Sequence, residues 1–208
     1  MNITYITGSP KKKGSTSRFL LEALDQKIAA EHQAFWADSA FDSPDSIYDF
    51  MRQSDAVVIA FPLYVDSIPS HLIRLMEQLE PMLKDQRGIT LYVIVNCGFY
   101  EAEQNHIAID MMKCWCKQTG LIWGQAVAVG AGGMAQAAPV GTGPSTNLGK
   151  AFDKLVLNIE KLDSRETLDI TPNFPRFLYK TMAQIGWNTE GKKNGLRRKD
   201  LKIRRDLQ

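Results

Sequence analysis

The chain has 208 residues, 44% of them hydrophobic and 23% charged, with a formal net charge of +2. That length suits one good-sized domain with a full core, and the composition excludes a disordered or collagen-like chain. No apolar run approaches the ~20 residues of a membrane span. No basic-then-apolar leader opens the sequence, and the three cysteines, Cys97, Cys114 and Cys116, cannot all pair, so reduced thiols and a cytoplasmic location are expected.

Met1 to Thr7 reads as a buried strand ended by Gly8. Arg18 to Ala30 reads as a helix, with Phe19, Leu20, Leu21, Leu24 and Ile28 at helical spacing, and Ser15, Thr16 and Ser17 stand where an N-cap belongs. Between them, "GSPKKKGSTS" joins the carboxyl end of a strand to the amino end of a helix, where free N–H groups and the helix dipole attract anions. The loop suits a phosphate. Alternatively, its hydroxyls only cap the helix and its lysines are solvated. It is not a nucleotide-hydrolase loop: five residues separate Gly8 from Gly14, and Ser15 stands where the lysine belongs. Nor does a Gly-x-Gly-x-x-Gly dinucleotide fingerprint follow the strand.

Gln33 to Ala37 reads as a short second strand, and Ser43-Pro44-Asp45 opens a helix to about Gln53. The run "DAVVIAF", Asp55 to Phe61, has the character of a central parallel strand. Pro69 to Met82 is helical. Arg87-Gly88 is a break before a fourth strand, Ile89 to Val95. Glu103 to Thr119 is a helix ended by Gly120, and Leu121 to Val129 is a fifth strand interrupted by Gly124. Gly130 to Gly149 reads as a long loop, and Ser145-Thr146 starts a helix to about Leu162. Five strand–helix alternations predict a three-layer α/β/α sandwich around a five-stranded parallel sheet. No strand is read after Leu162. The domain is expected over 1–165 and a basic helical extension over 166–208.

Ligands of such sheets bind beyond the carboxyl ends of the strands, where strand order reverses. Three loops qualify: Gly8 to Ser15, Pro62 to Ile68, and Asn96 to Tyr100. In "FPLYVDSIP" two prolines stiffen a loop that offers Tyr64 to a planar ligand, although Leu63 and Tyr64 could simply pack over the sheet end. In "NCGFY" Gly98 permits close backbone approach, and Asn96 can bond to a ring edge. Cys97 has no readable base beside it, so no side chain is assigned a catalytic role. Cys114 and Cys116 project about 200° apart on one helix; they are read as core thiols, not as metal ligands, and His106 is read as a surface residue.

Together "GSPKKKGSTS", "PLYVDSIPSHL" and "NCGFY" resemble the flavodoxin-like NAD(P)H-dependent FMN reductases and related quinone- and azo-reducing flavoproteins, over Met1 to Leu162. The resemblance implies a flavodoxin-like topology, bound FMN and NAD(P)H as hydride donor. By matching position it places Ser9, Ser15, Thr16 and Ser17 on the phosphate, with Lys11 or Lys13 nearby. Pro62, Leu63, Tyr64 and Val65 would run along the isoalloxazine ring, and Asn96, Cys97 and Gly98 would face its other edge. The family often has asparagine at the position of Ser15. The cysteine run of its iron–sulfur branch is missing. The implied activity is hydride transfer through FMN to a flavin, quinone, azo or nitro compound. The rival is an electron-transfer or redox-sensing FMN protein that turns over no small molecule. Family members are commonly homodimers, and Trp115, Trp123 and the Gly130 to Ala138 loop are read as interface or lid surface.

Charge is uneven along the chain. From Arg176 onward ten Lys/Arg face Glu190, Asp200 and Asp206, so the end carries +7 and the remainder −5. Phe177, Leu178, Met182, Ile185 and Trp187 stand at helical spacing, and the basic run follows apparent breaks at Gly191 and Gly195. That separation of apolar and basic segments favours packing on the domain or its dimer partner over an anionic membrane or nucleic acid.

Overall fold

The computed structural model describes residues 1–84, 86 and 88–202. Arg87 of the expected break and the last part of the basic end lie outside the described residues. In chain order the elements are β1 (Asn2–Thr7), α1 (Thr16–Asp25), β2 (Gln33–Asp38), α2 (Pro44–Met51), β3 (Ala56–Pro62), α3 (Ser70–Leu83), β4 (Thr90–Asn96), α4 (His106–Thr119), β5 (Ile122–Val129), α5 (Thr146–Lys161), β6 (Leu168–Ile170) and α6 (Arg176–Lys193). The strands are all parallel, in the order β2-β1-β3-β4-β5-β6. The chain moves outward from β1 to β2, then returns to the other side of β1 with β3. The switch point therefore lies between β1 and β3, at the carboxyl end of the sheet.

β3 and β4 are buried along almost their whole length because helices cover both faces. Alternation divides their side chains between two cores. Ile6, Val57, Ile59, Val93 and Val95 pack with Ile47, Leu72 and Ile109 on the side of α2, α3 and α4. Ile3, Tyr5, Val58 and Ile94 pack with Leu20, Leu24, Phe152 and Leu155 on the side of α1 and α5.

Four expectations need correction. The sheet has six strands, not five. β6 holds only Leu168, Asp169 and Ile170, too short to show alternation, and is fixed by its surroundings: Gln125 Nε2 donates to the Glu166 carbonyl at 2.7 Å, Arg165 N–H to the Gly124 carbonyl at 2.8 Å, and His106 Nε2 lies 2.7 Å from Asp169 Oδ1. The helix α1 ends at Asp25, short of Ala30, because the chain turns there into β2; His32 bridges Asp25 Oδ1 (2.8 Å) and the Ala30 carbonyl (3.0 Å) across the turn. On α4, Cys116 is buried but Cys114 is exposed, as opposed positions on one helix require. Trp115 is likewise a core residue, its Nε1–H donating to the Met76 carbonyl at 3.1 Å, so it offers no interface surface.

The chain forms two compact units, Met1–Asn173 and Phe174–Gln208. Within the second, α6 runs 18 residues and passes through Gly191 without a break. The chain then reverses at Gly195 (φ 76°), and Leu196 N–H donates to the Gly191 carbonyl at 2.9 Å. Leu201 lies against Gly191, where a Cβ would meet its Cδ1 at 3.1 Å. Among the described residues no helix is long and apolar enough to cross a membrane.

Candidate functional site

The loop from β1 to α1 is held by its own backbone. A Cβ at Gly8 would meet Phe61 Cβ at 2.6 Å and Leu72 Cδ2 at 2.8 Å, so only glycine lets β1 leave this close to β3. Gly8 N–H donates to the Ala60 carbonyl at 2.7 Å. Ser9 Oγ accepts from Lys11 N–H at 3.4 Å, and Ser15 caps α1 by accepting from Arg18 N–H at 3.2 Å. Lys11, Lys12, Lys13, Gly14 and Ser15 line a cavity of about 440 Å³, closed by Thr7, Arg18, Phe19, Glu22, Asp38 and Gln136.

Thr7 is the informative member of that lining. It is buried, and its Oγ1 has no hydrogen-bond partner in the protein. Alternation with Ile6 turns it toward the α1 side of the sheet, the side of the lysines. An orphaned buried hydroxyl costs roughly 1–3 kcal/mol, and one beside several cations suits an anionic ligand with acceptor oxygens. Asp38 is a half-buried acid of the same lining. Partial burial, helped by the neighbouring Asp42 charge, raises its carboxyl above the usual range, outweighing the Ala40 N–H and the nearby His71 and Arg18 that favour the charged form.

Thr16 Oγ1 accepts from Gln136 Nε2 at 3.3 Å. Ser17 and Asn96 sit beneath the loops: Asn96 Nδ2 lies 3.2 Å from Ser17 Oγ and 3.0 Å from the Phe61 carbonyl, and both residues are buried. They tie the ends of β3 and β4 to the first turn of α1.

After β3, Leu63 N–H donates to the Asn96 carbonyl at 2.8 Å, and the Leu63 side chain packs on the core while Pro62 is half-buried. Tyr64 does not pack in. Tyr64 and Ser67 exchange backbone hydrogen bonds of 3.0 and 3.1 Å, closing a two-residue turn. Its central residues, Val65 (φ 51°) and Asp66 (φ 55°), are both left-handed. Val65 is β-branched and 98% exposed; such a residue in this region carries strain of roughly 1–3 kcal/mol. A third left-handed residue, Ala131 (φ 50°), follows β5, and its N–H donates to the Phe99 carbonyl. Of the four non-glycine left-handed residues described, three thus lie beyond the carboxyl ends of β3 and β5, on either side of β4, and the fourth, Leu162, ends α5; Tyr64 and Phe99 are exposed at the same end of the sheet.

Cys97 is turned inward. Its N–H donates to the Val129 carbonyl at 3.0 Å, Asn105 Nδ2 donates to its Sγ at 3.5 Å, and burial pushes its thiol pKa up. A Cβ at Gly98 would meet nothing, so the backbone there borders open space.

Ser9, Lys11, Lys13 and Ser15 are therefore gathered on one loop, with Thr16 beside it. Thr7, Lys12, Arg18, Asp38 and Gln136 join them without having been singled out in the sequence. Gln136 lies 120 residues from Thr16, in a Gly-Ala-Pro segment with no periodicity. Thr7 and Asp38 read only as strand ends.

No protein-family model and no curated protein matches the chain. Solved structures do match. An NADH:FMN oxidoreductase in its apo form superposes with a TM-score of 0.58 at 16% identity, covering 75% of this chain and 88% of that one. An NADPH-quinone reductase from P. pentosaceus gives 0.56 at 16% identity, covering 79% and 99%. A flavodoxin variant from Pseudomonas aeruginosa gives 0.55 at 14% identity, covering 77% and 99%. The chain has the flavodoxin-like fold.

Proposed function

We propose that this chain is an FMN-dependent oxidoreductase, a member of the flavodoxin-like NAD(P)H reductases, acting on a small acceptor such as a flavin, quinone, azo or nitro compound. The observation that carries the reading is the lysine-lined cavity with the orphaned Thr7 hydroxyl at the carboxyl end of β1, the strand that borders the switch point. The names of two structural neighbours, an NADH:FMN oxidoreductase and an NADPH-quinone reductase, agree with it.

Lys11, Lys12 and Lys13 with the amino end of α1 would hold the FMN phosphate, and Thr7, Ser9, Ser15 and Thr16 would supply hydroxyl donors. Tyr64 and Val65 would border the isoalloxazine ring on one side and the Asn96–Gly98 backbone on the other. When bound, FMN supplies the hydride and electron chemistry. The chain's own residues bind and orient. The lysines neutralise a dianion, the closed turn at Tyr64–Ser67 fixes where an apolar surface is presented, and the Asn96–Ser17 bond holds the loops in register. Cys97 keeps its proton at neutral pH because burial disfavours the thiolate. A homodimer in the cytoplasm is part of the same proposal.

The purified protein's absorbance tests it. A yellow protein bleached anaerobically by NADH or NADPH supports the reductase. A yellow protein that neither nucleotide bleaches supports an electron carrier or redox sensor. A colourless protein that takes up no added FMN overturns both.

A further inference from the structure

The second unit carries an apolar helical face and a basic cluster that the flavin site does not use. On α6, Leu178, Met182 and Ile185 fall four and three residues apart on one line, with Phe177 alongside. Phe177, Leu178, Met182, Ile185 and Trp187 are all exposed, Phe177 and Trp187 by 68% and 73%. The two threonines of that side are not free to favour water: Thr181 Oγ1 donates to the Phe177 carbonyl at 3.0 Å and Thr189 Oγ1 to the Ile185 carbonyl at 2.9 Å. From Arg176 to Thr189 there is no carboxylate. The first acid, Glu190, pairs with Lys193 at 2.7 Å, and Asp200 pairs with Arg197 at 3.2 Å.

The basic residues belong to the same body as the apolar face. Lys192 and Lys193 end α6 itself, since the helix continues through Gly191. The reversal at Gly195 then brings the chain back until Leu201 rests on Gly191. Arg197, Arg198 and Lys199 lie in that reversal, so they gather at the end of the helix beside Lys192 and Lys193. The break read from the sequence at Gly191 is absent, and the one at Gly195 turns the basic run back toward the helix end.

We infer that this unit docks on an anionic lipid bilayer, with α6 lying in the interface and the basic reversal on the headgroups. The occupant must offer two things at once: an apolar interior for Phe177, Leu178, Met182 and Ile185, and a dense negative surface for a unit of +7. A nucleic acid offers dense phosphates but nothing for aliphatic side chains. A protein groove accepts the apolar face but presents mixed charges, and the rest of this chain carries only −5 over 173 residues. An anionic bilayer supplies both. The helix lies on the membrane and does not span it, as its hydropathy requires.

The test is co-sedimentation of the full-length protein with vesicles of phosphatidylcholine alone and of phosphatidylcholine with phosphatidylserine. The expected result is at least about tenfold more binding to the phosphatidylserine vesicles, weakened by added salt because surface charge is screened within a Debye length. The triple variant L178Q/M182Q/I185Q should lose vesicle binding while keeping the wild-type melting temperature and sedimentation coefficient. Equal binding to both vesicles, or none, overturns the inference. So does a triple variant that still binds. A triple variant that melts earlier or changes its oligomeric state would assign the face to the domain or to a second copy instead, and retention on duplex DNA without vesicle binding would assign the charge to nucleic acid.

Discussion

Asn96 Nδ2 donates to Ser17 Oγ across 3.2 Å, joining the end of β4 to the first turn of α1 inside the protein. The same amide reaches the Phe61 carbonyl at 3.0 Å, so one side chain sets the relative position of three segments that border the cavity or the strained turn. Asn96→Ala removes both bonds and leaves two buried acceptors. Urea unfolding should show a loss of about 1–3 kcal/mol, and FMN affinity should fall with it. Unchanged stability would show that the bond does not hold the loops.

Val65→Gly separates stability from binding. Glycine adopts a left-handed backbone without the steric cost that valine meets, so the fold should gain roughly 1 kcal/mol. The exposed isopropyl group that would border the ring is lost, and FMN affinity should drop severalfold. A lower melting temperature for Val65→Gly would argue that the turn is unstrained.

Ser15 and Thr16 changed together to alanine lose two hydroxyls at the amino end of α1. Hydrogen bonds to a charged group contribute roughly 1.5–3 kcal/mol each, so FMN affinity should fall at least about tenfold. Loss of the Ser15 cap should also cost about 0.5–2 kcal/mol of stability. Flavin fluorescence titration checks the first effect and thermal melting the second. Wild-type FMN affinity in the double variant would move the phosphate away from this loop.

The His32–Asp25 pair makes stability pH-dependent. Burial alone would lower the His32 pKa, but its bonds to Asp25 and to the Ala30 carbonyl outweigh burial and raise it. A histidine raised on folding stabilises most fully below its unfolded value of about 6.5 and loses that contribution as pH rises through the folded value. His32→Asn should therefore destabilise more at pH well below neutrality than at pH well above it. A penalty independent of pH would show that the charged pair contributes nothing.

Much of the fold was legible because its signals are local. The β-branched runs of β3 and β4, the Ser-Thr-Ser cap of α1 and the Gly120 stop each occupy a few consecutive residues. β6 escaped because three residues carry no period and its register depends on bonds from Gln125, Gly124 and His106. The site was legible as three loops but not as a cavity. Gln136 and Thr16 are joined only by the folded chain, and the orphaned state of Thr7 is a property of its surroundings. The pairing of Asn96 with Ser17 was likewise invisible, since both residues are equally good ligand-binding types.

The lysine-lined cavity is the proposed site of the flavin phosphate. That placement is tested most directly by titrating wild-type protein and Thr7→Val with FMN and with riboflavin, following flavin fluorescence. Thr7→Val keeps the shape and removes the orphaned hydroxyl, so the free protein should lose no stability. The expected result is FMN bound at least about a hundredfold more tightly than riboflavin by the wild type, with that preference cut about tenfold or more in Thr7→Val, as charge-assisted bonds require. Equal affinities of the wild type for FMN and riboflavin would contradict that placement.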